Sequence, residues 1–194
     1  IENEAQVAVC RYAQVYKDHN VQGGNGNVTA FEREELLRIY IGGHDDYIIY
    51  NSVWSKLFAR EIIEGVLFPV GRNSEDIMYT TRAFCEAEKG VYIDKCLYNY
   101  VLDREGSIMN VKRGERMFRD EIPFWKEHIE HIRDSVSEEM GDYAAYYFYR
   151  RLLQYYLDLN KNAQTKMEAE KLAKMMRKEK AVIQRVYAMA HGAK

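Results

Sequence analysis

The sequence contains few prolines and cysteines, and it has no long apolar run. Of its 194 residues, two are proline and three are cysteine. Cys10, Cys85 and Cys96 are widely spaced within apolar segments, and their odd number argues against a disulfide framework or a zinc site. No stretch approaches the ~18 consecutive apolar residues that span a bilayer, and no signal peptide is visible. We therefore expect a cytoplasmic protein with buried, reduced thiols.

The composition is that of a globular protein, with 47% apolar and 30% charged residues. The formal net charge of -2 conceals an asymmetry, because residues 1–111 hold 11 Lys+Arg against 17 Asp+Glu, and the remainder holds 17 against 13. No stacking aromatic residues interleave the basic positions, so we expect no nucleic-acid partner. The length allows one good core, or a subdomain with an extension.

The hydrophobic pattern predicts an α/β fold that is mainly helical, with a few strands in residues 1–111 and a helical extension in residues 112–194. Predicted strands cover residues 5–16, 28–31 and 91–101. Predicted helices cover residues 32–41, 51–60, 75–90, 113–136, 142–159 and 164–190. Thr29 is expected to cap the first helix and Asn51 the second, whereas Lys89-Gly90 and Gly141 are expected to end or separate helices. We expect residues 28–31 to pair back on the first strand as a short edge strand.

An acidic pair, Glu75-Asp76, opens the helix that the pattern predicts downstream of it. A carboxylate in the first helical turn is fixed by its backbone and faces the positive end of the helix dipole. Such a rigid, ionised group suits a general base that accepts a proton from a reacting hydroxyl. Acidic residues after Asn73 or Ser74, both good N-caps, are equally ordinary at helix starts. Taken alone, this stretch favours the structural explanation.

The surrounding motifs change that interpretation. Residues 54–58 read Trp-Ser-Lys-Leu-Phe, residues 67–69 read Leu-Phe-Pro before the acidic pair, and residues 104–108 read Arg-Glu-Gly-Ser-Ile. In this order the motifs resemble the second half of the catalytic domain of bacterial family 2 glycosyltransferases, over roughly residues 1–110. The family commonly has Asn where this chain has Ser55, and Tyr where it has Phe58.

The resemblance implies a GT-A fold and transfer of a sugar from a nucleotide-sugar donor, usually with inversion, to a glycan or lipid-linked acceptor in surface polysaccharide synthesis. It implies that Asp76 is the catalytic base and that Glu75 binds acceptor hydroxyls or orients Asp76. The alternative class is a non-catalytic carbohydrate-binding or helical scaffolding module that keeps the transferase framework.

Four further residues are candidates for substrate binding. Trp54 is either a packing residue or a contact on the acceptor side. Lys56 either contacts a substrate phosphate as a point charge or sits in solvent. Arg104 and Ser107 surround Gly106, which is typical of a surface turn, but the resemblance favours Arg104 as the charge that neutralises the donor diphosphate.

The acidic metal motif of the family is missing ahead of the first predicted strand. Asp45-Asp46 lies between two helical stretches and follows Gly42-Gly43, which is typical of a helix C-cap, so we expect no metal there. His128 and His131 lack a third ligand and are not expected to bind metal either. We expect that a divalent metal, Mn²⁺ or Mg²⁺, and the nucleotide-binding half belong to sequence upstream of Ile1, and that this chain alone is inactive.

The C-terminal part is basic and amphipathic, with 9 Lys+Arg against 3 Asp+Glu from Lys161 onward. A helix of this kind can lie on an anionic membrane surface, which would place the protein peripherally at the inner face of the membrane. Packing on the catalytic domain or on a second protomer is slightly favoured over that. A homo-oligomer is compatible with the sequence.

Overall fold

A computed structural model of the chain describes residues 4–102 and 113–192. Residues 1–113 and residues 114–194 form two compact units. The first unit combines a five-stranded mixed sheet with helices, and the described part of the second is helical. The prediction of an α/β fold that is mainly helical is confirmed.

The first unit is organised around two parallel central strands. Its strands are β1 (Val7–Val15), β2 (Asn20–Val21), β3 (Val28–Glu32), β4 (Lys56–Phe58) and β5 (Lys89–Val101), and its helices are α1 (Arg33–Gly42), α2 (Arg60–Ile63) and α3 (Asp76–Glu86). Strand β1 pairs in parallel with β5 and antiparallel with both β2 and β4, while β3 pairs antiparallel with β5. The central position of β1 explains why Val7 and Val9 are completely buried.

Helices α1 and α3 supply most of the core of this unit. Leu36 of α1 and Phe84 of α3 are fully buried, and the rings of Tyr40 and Phe84 meet edge to face at 5.0 Å. Gly90 lies in β5, where a Cβ atom would stand 2.8 Å from a terminal carbon of Leu36. The prediction that Gly90 ends a helix is therefore wrong: α3 ends at Glu86, and the glycine lets α1 approach the sheet closely.

Three local predictions in this unit are also wrong, and long-range pairing explains two of them. The segment expected to be a helix over residues 51–60 contains β4, because residues 56–58 pair with residues 7–9 of β1. Strand β3 pairs with β5 instead of folding back on β1. Thr29 lies within β3 and does not cap α1, whose N-cap residue Glu32 makes no side-chain capping bond.

The predicted C-cap of α1 is confirmed. Gly43 has a positive φ, and its N–H donates to the Ile39 carbonyl.

The second unit is built from α4 (Arg113–Arg116), a π-helical turn (Met117–Glu121), α5 (Ile122–Ser135), α6 (Glu138–Asn160), a 3-10 turn (Ala163–Thr165), α7 (Lys166–Lys178) and α8 (Lys180–Ala190). The Ser137 hydroxyl caps α6 by accepting from the Met140 N–H at 3.1 Å. The prediction that Gly141 separates helices is wrong. This glycine lies inside α6, where a Cβ atom would stand 2.7 Å from the Cβ of Arg133 in α5, so its role is close packing of α5 and α6.

The basic C-terminal segment forms two helices instead of the single one expected, and both pack within their own unit. Leu172 of α7 and Val186 of α8 are almost completely buried. Glu179, at the break between them, accepts from Lys126 and, at 2.8 Å, from the Tyr149 hydroxyl. Part of the apolar stripe is thus used for packing. Across residues 4–102 and 113–192, no helix has the length and apolarity needed to cross a membrane.

Candidate active site at the start of helix α3

Asp76 is the first residue of α3, one residue after the predicted start, and it is half-buried. Glu75 is the N-cap residue and makes no side-chain capping bond, so ordinary capping does not account for it. Ser74 adopts a positive φ of 65°, which turns the chain sharply into the helix. The next two residues, Ile77 and Met78, are buried in the core, and they anchor the helix start that carries the carboxylate.

Asn51 holds the Asp76 carboxylate. Its Nδ2 donates to Asp76 Oδ1 at 2.8 Å. Sequence reasoning assigns Asn51 a helix-capping role and misses this contact, because the two residues lie 25 positions apart. The local pattern offers one weak signal, namely that Asn51 belongs to the segment immediately before the Trp-Ser-Lys-Leu-Phe motif.

Lys56 lies inside the protein, at the first position of β4. The residue is 8% exposed, and its Nζ donates to the carbonyl oxygens of Tyr50 at 2.7 Å and Ser52 at 2.5 Å. Burial lowers the pKa of Lys56 to about 7, and the nearby Asp76 charge partly opposes this effect. The alternative that Lys56 sits in solvent is wrong, because its amine is buried and donates to two protein carbonyls. A contact between Lys56 and a substrate phosphate stays a prediction.

Burial also raises the pKa of the Asp76 carboxyl above its ordinary value. The hydrogen bond from Asn51 acts in the opposite direction, the Glu75 charge adds to the rise, and the Lys56 charge reduces it. A carboxylate with a raised pKa holds a proton more tightly than an exposed one, so it is a stronger base for proton transfer. The arrangement is chemically suited to accept a proton from a hydroxyl group.

An aromatic platform lies on the loop that carries Asn51 and on the strands beside it. Its members are Tyr12, Tyr50, Trp54, Tyr98 and Tyr100. The Trp54 ring stacks on Tyr98 at 4.5 Å and on Tyr100 at 5.1 Å, and it meets Tyr12 edge to face at 4.9 Å. Trp54 occupies a turn instead of the expected helix. Tyr50 is 52% exposed and Tyr98 38% exposed, so the platform combines internal packing with open ring surface that can contact an apolar sugar face.

Two of the predicted site residues fall on a part of the chain that is not described. Arg104 and Ser107 lie outside the described residues. Asp46 lines a separate polar pocket of about 470 Å³ together with Arg11 and Asp94. Asp94 is ion-paired with Arg11 and accepts from the Asn25 N–H at 2.9 Å. Within residues 4–102 and 113–192, no group of three or more His, Cys, Asp or Glu side chains is arranged to hold a metal ion.

Comparisons with known proteins found a similar stretch of sequence in one protein and a similar fold in another. The glycosyltransferase GlyA of Streptococcus pneumoniae serotype 4 is 33% identical over 60 residues, which is 31% of this chain and 8% of GlyA. A crystal structure of Staphylococcus aureus TarS (residues 1–349) in complex with UDP-GlcNAc is similar with a TM-score of 0.63 and 15% identity, over 96% of this chain and 52% of the TarS chain. No family model matches the sequence.

The TarS similarity establishes the fold of the chain. This chain spans about half of the TarS chain and a small fraction of GlyA. The fold and the local match to GlyA are therefore shared with only part of each relative.

Proposed function

We propose that residues 1–111 of this chain are the acceptor-side part of the GT-A catalytic domain of a family 2 glycosyltransferase, in which Asp76 is the catalytic base, and that residues 112–194 are a helical extension. The observation that carries the proposal is a half-buried carboxylate, fixed at the start of an anchored helix and held by Asn51. The adjoining aromatic platform offers a surface for a sugar ring. The similarity to GlyA and to the TarS fold supports the same class of reaction.

The reaction is a single displacement. The acceptor hydroxyl donates its proton to the Asp76 carboxylate as its oxygen forms a bond to the anomeric carbon of the donor sugar. The bond from that carbon to the diphosphate oxygen breaks at the same time, and the nucleoside diphosphate leaves with the electron pair. Attack from the side opposite the leaving group inverts the anomeric configuration.

The other predicted residues take supporting roles in this scheme. Glu75, next to the base, binds acceptor hydroxyls. Trp54 contributes to the aromatic platform on which the acceptor ring rests. Arg104 and Ser107 are proposed to contact the donor, with Arg104 compensating the charge that develops on the departing diphosphate.

We also propose that the donor-binding half precedes this chain in the natural protein. The TarS structure, which contains UDP-GlcNAc, is about twice as long as the part that this chain matches. We propose that the divalent Mn²⁺ or Mg²⁺ that would offset the donor's diphosphate charge is bound by that half. This chain alone is expected to be inactive.

The test uses the full-length natural protein and measures release of nucleoside diphosphate from a panel of nucleotide sugars, beginning with UDP-GlcNAc. Asp76→Asn should lower turnover about 100- to 10,000-fold while donor affinity stays at the wild-type value. Glu86→Gln is the matched control, because it removes an exposed carboxylate at the far end of the same helix, and it should keep the wild-type turnover. Wild-type turnover in Asp76→Asn would show that another group is the base.

The aromatic platform favours one alternative, a carbohydrate-binding module without turnover. In that case the wild-type protein binds saccharides and the Trp54→Ala variant does not, and the wild-type protein releases no nucleoside diphosphate from any donor.

Peripheral attachment of the basic helices α7 and α8 to the inner face of the membrane is a further proposal. Salt-sensitive co-sedimentation with anionic liposomes would support it, and equal sedimentation with neutral liposomes would oppose it.

A further inference from the structure

Residues 47–55 form a loop with no helix or strand, yet side chains satisfy three of its consecutive carbonyl oxygens. Lys56 Nζ donates to the carbonyls of Tyr50 and Ser52 at 2.7 and 2.5 Å. Thr80 Oγ1 donates to the carbonyl of Asn51, which lies between them, at 2.6 Å. A buried backbone carbonyl needs a hydrogen-bond partner, and an irregular segment has no helix or sheet to supply one. Here they are bonded by a buried ammonium and a buried hydroxyl, and Asn51 lies at the centre.

Helix α3 contacts Asn51 at two points. Asp76 and Thr80 are four residues apart and therefore share one face of the helix. Asp76 accepts from the Asn51 side chain, and Thr80 donates to the Asn51 backbone. Two contacts from one rigid face fix both the position and the orientation of the amide, which a single hydrogen bond would not do.

We propose that Asn51 is a positioning residue for the Asp76 carboxylate and that Lys56 and Thr80 hold Asn51 in place. We call Asn51, Lys56 and Thr80 the Asn51 clamp. The expected effect of the clamp on turnover rests on the proposed function. The effect of the clamp on the Asp76 carboxylate does not, because it can be measured without substrate.

The clamp has a clear chemical use. Within residues 4–102, Asn51 is the one side chain hydrogen-bonded to the Asp76 carboxylate. It donates to Oδ1, and in the proposed reaction the acceptor hydroxyl approaches the other carboxylate oxygen. An amide donates this bond without giving up its proton, so Asn51 orients the base and does not compete for the proton being transferred.

Several charged groups among the described residues act on the clamp. Glu75 and Lys56 act on Asp76, and Asp76 and Cys10 act on Lys56. Loss of the Asn51 bond should therefore raise the pKa of Asp76 further, because burial and Glu75 then act with less opposition.

The test compares four variants of this chain by NMR titration of the Asp76 carboxyl carbon. Asn51→Ala should raise the Asp76 pKa, and Asn51→Asp should raise it more because a second carboxylate then faces the first. Thr80→Val keeps the size of the side chain and removes its hydroxyl, so it should give a smaller rise. Asn99→Ala, at an exposed asparagine of β5, is the control and should leave the pKa unchanged.

The second measurement uses the full-length enzyme. Asn51→Ala should lower kcat by up to about 100-fold, with an unchanged KM for the donor and an acid limb of the pH profile that moves to higher pH. A merely structural role would reduce the amount of folded protein without moving that limb.

The proposal is overturned if the Asp76 pKa of folded Asn51→Ala equals that of the wild type. If Asn51→Ala does not fold, an unchanged pKa in Thr80→Val overturns it instead. A raised pKa in these variants together with an inactive wild-type enzyme would support the clamp and reject the proposed function, so the two failures are distinguishable.

Discussion

Lys56 gives the most quantitative prediction, because its burial makes stability depend on pH. The structure lowers the pKa of Lys56 from 10.5 to about 7. Between these values the unfolded chain binds a proton that the native chain does not, so the free energy of unfolding rises with pH; below pH 7 both states are protonated and the dependence ends. Lys56→Met keeps the apolar stem and removes the ammonium. From pH 7 to pH 9, the wild type should gain about 2 kcal/mol relative to Lys56→Met.

Both proteins are unfolded in urea at a series of pH values. Unfolding is monitored by the fluorescence of Trp54 in a Trp125→Phe background, so that the signal reports the first unit. At each pH, the unfolding free energy of Lys56→Met is subtracted from that of the wild type, which removes the contributions of the other titrating groups. The variant also leaves the carbonyls of Tyr50 and Ser52 without their donor, which costs about 1–3 kcal/mol each but does not vary with pH. A difference that stays constant from pH 7 to pH 9 would refute the reasoning.

Three further predictions concern stability. Gly24→Ala should unfold at lower urea than Gly26→Ala, because both positions have positive φ but only the first places a Cβ atom 2.2 Å from a backbone carbonyl oxygen; equal midpoints would contradict this. Burial lowers the pKa of His128 from 6.5 to about 3. The unfolding free energy should therefore fall as the pH drops from 6.5 toward 4, by up to ~1.4 kcal/mol per pH unit. In His128→Leu the unfolding free energy should no longer show this decrease. Phe84→Ala should cost about 3–5 kcal/mol, whereas Phe68→Ala, at a side chain that is 45% exposed, should cost much less by the same unfolding assay.

Prediction from the sequence is correct where the structure depends on local pattern. The apolar spacing after Asp76 predicts α3, and the apolar segments near residues 5–16 and 91–101 form β1 and β5. These elements carry their signal in neighbouring residues, and each buries the face that the pattern marks as apolar. The C-cap at Gly43 follows from glycine chemistry in the same way.

The contacts around Asp76 could not be predicted in that way. Lys56 resembles a surface cation in the sequence, because a lysine is rarely buried unless it finds acceptors. Its acceptors are backbone carbonyls, which every residue has and which no sequence pattern marks. The bond from Asn51 to Asp76 depends on how β4 pairs with β1, and that pairing overrides the helical pattern of the same segment.

Two glycines show the same limit. Their conformational freedom predicts helix boundaries at Gly90 and Gly141. In the structure both serve close packing, against Leu36 and Arg133 respectively. Sequence alone does not distinguish a glycine that ends a helix from one that admits a neighbouring element.

The most direct measurement of the role of Asp76 is single-turnover sugar transfer by the full-length enzyme at saturating donor, comparing Asp76→Asn with the wild type. If Asp76 is the base, the variant should bind donor normally and form product at least about 100 times more slowly. Product formation at an undiminished rate would contradict this role, because the proton of the acceptor would then be leaving by another route.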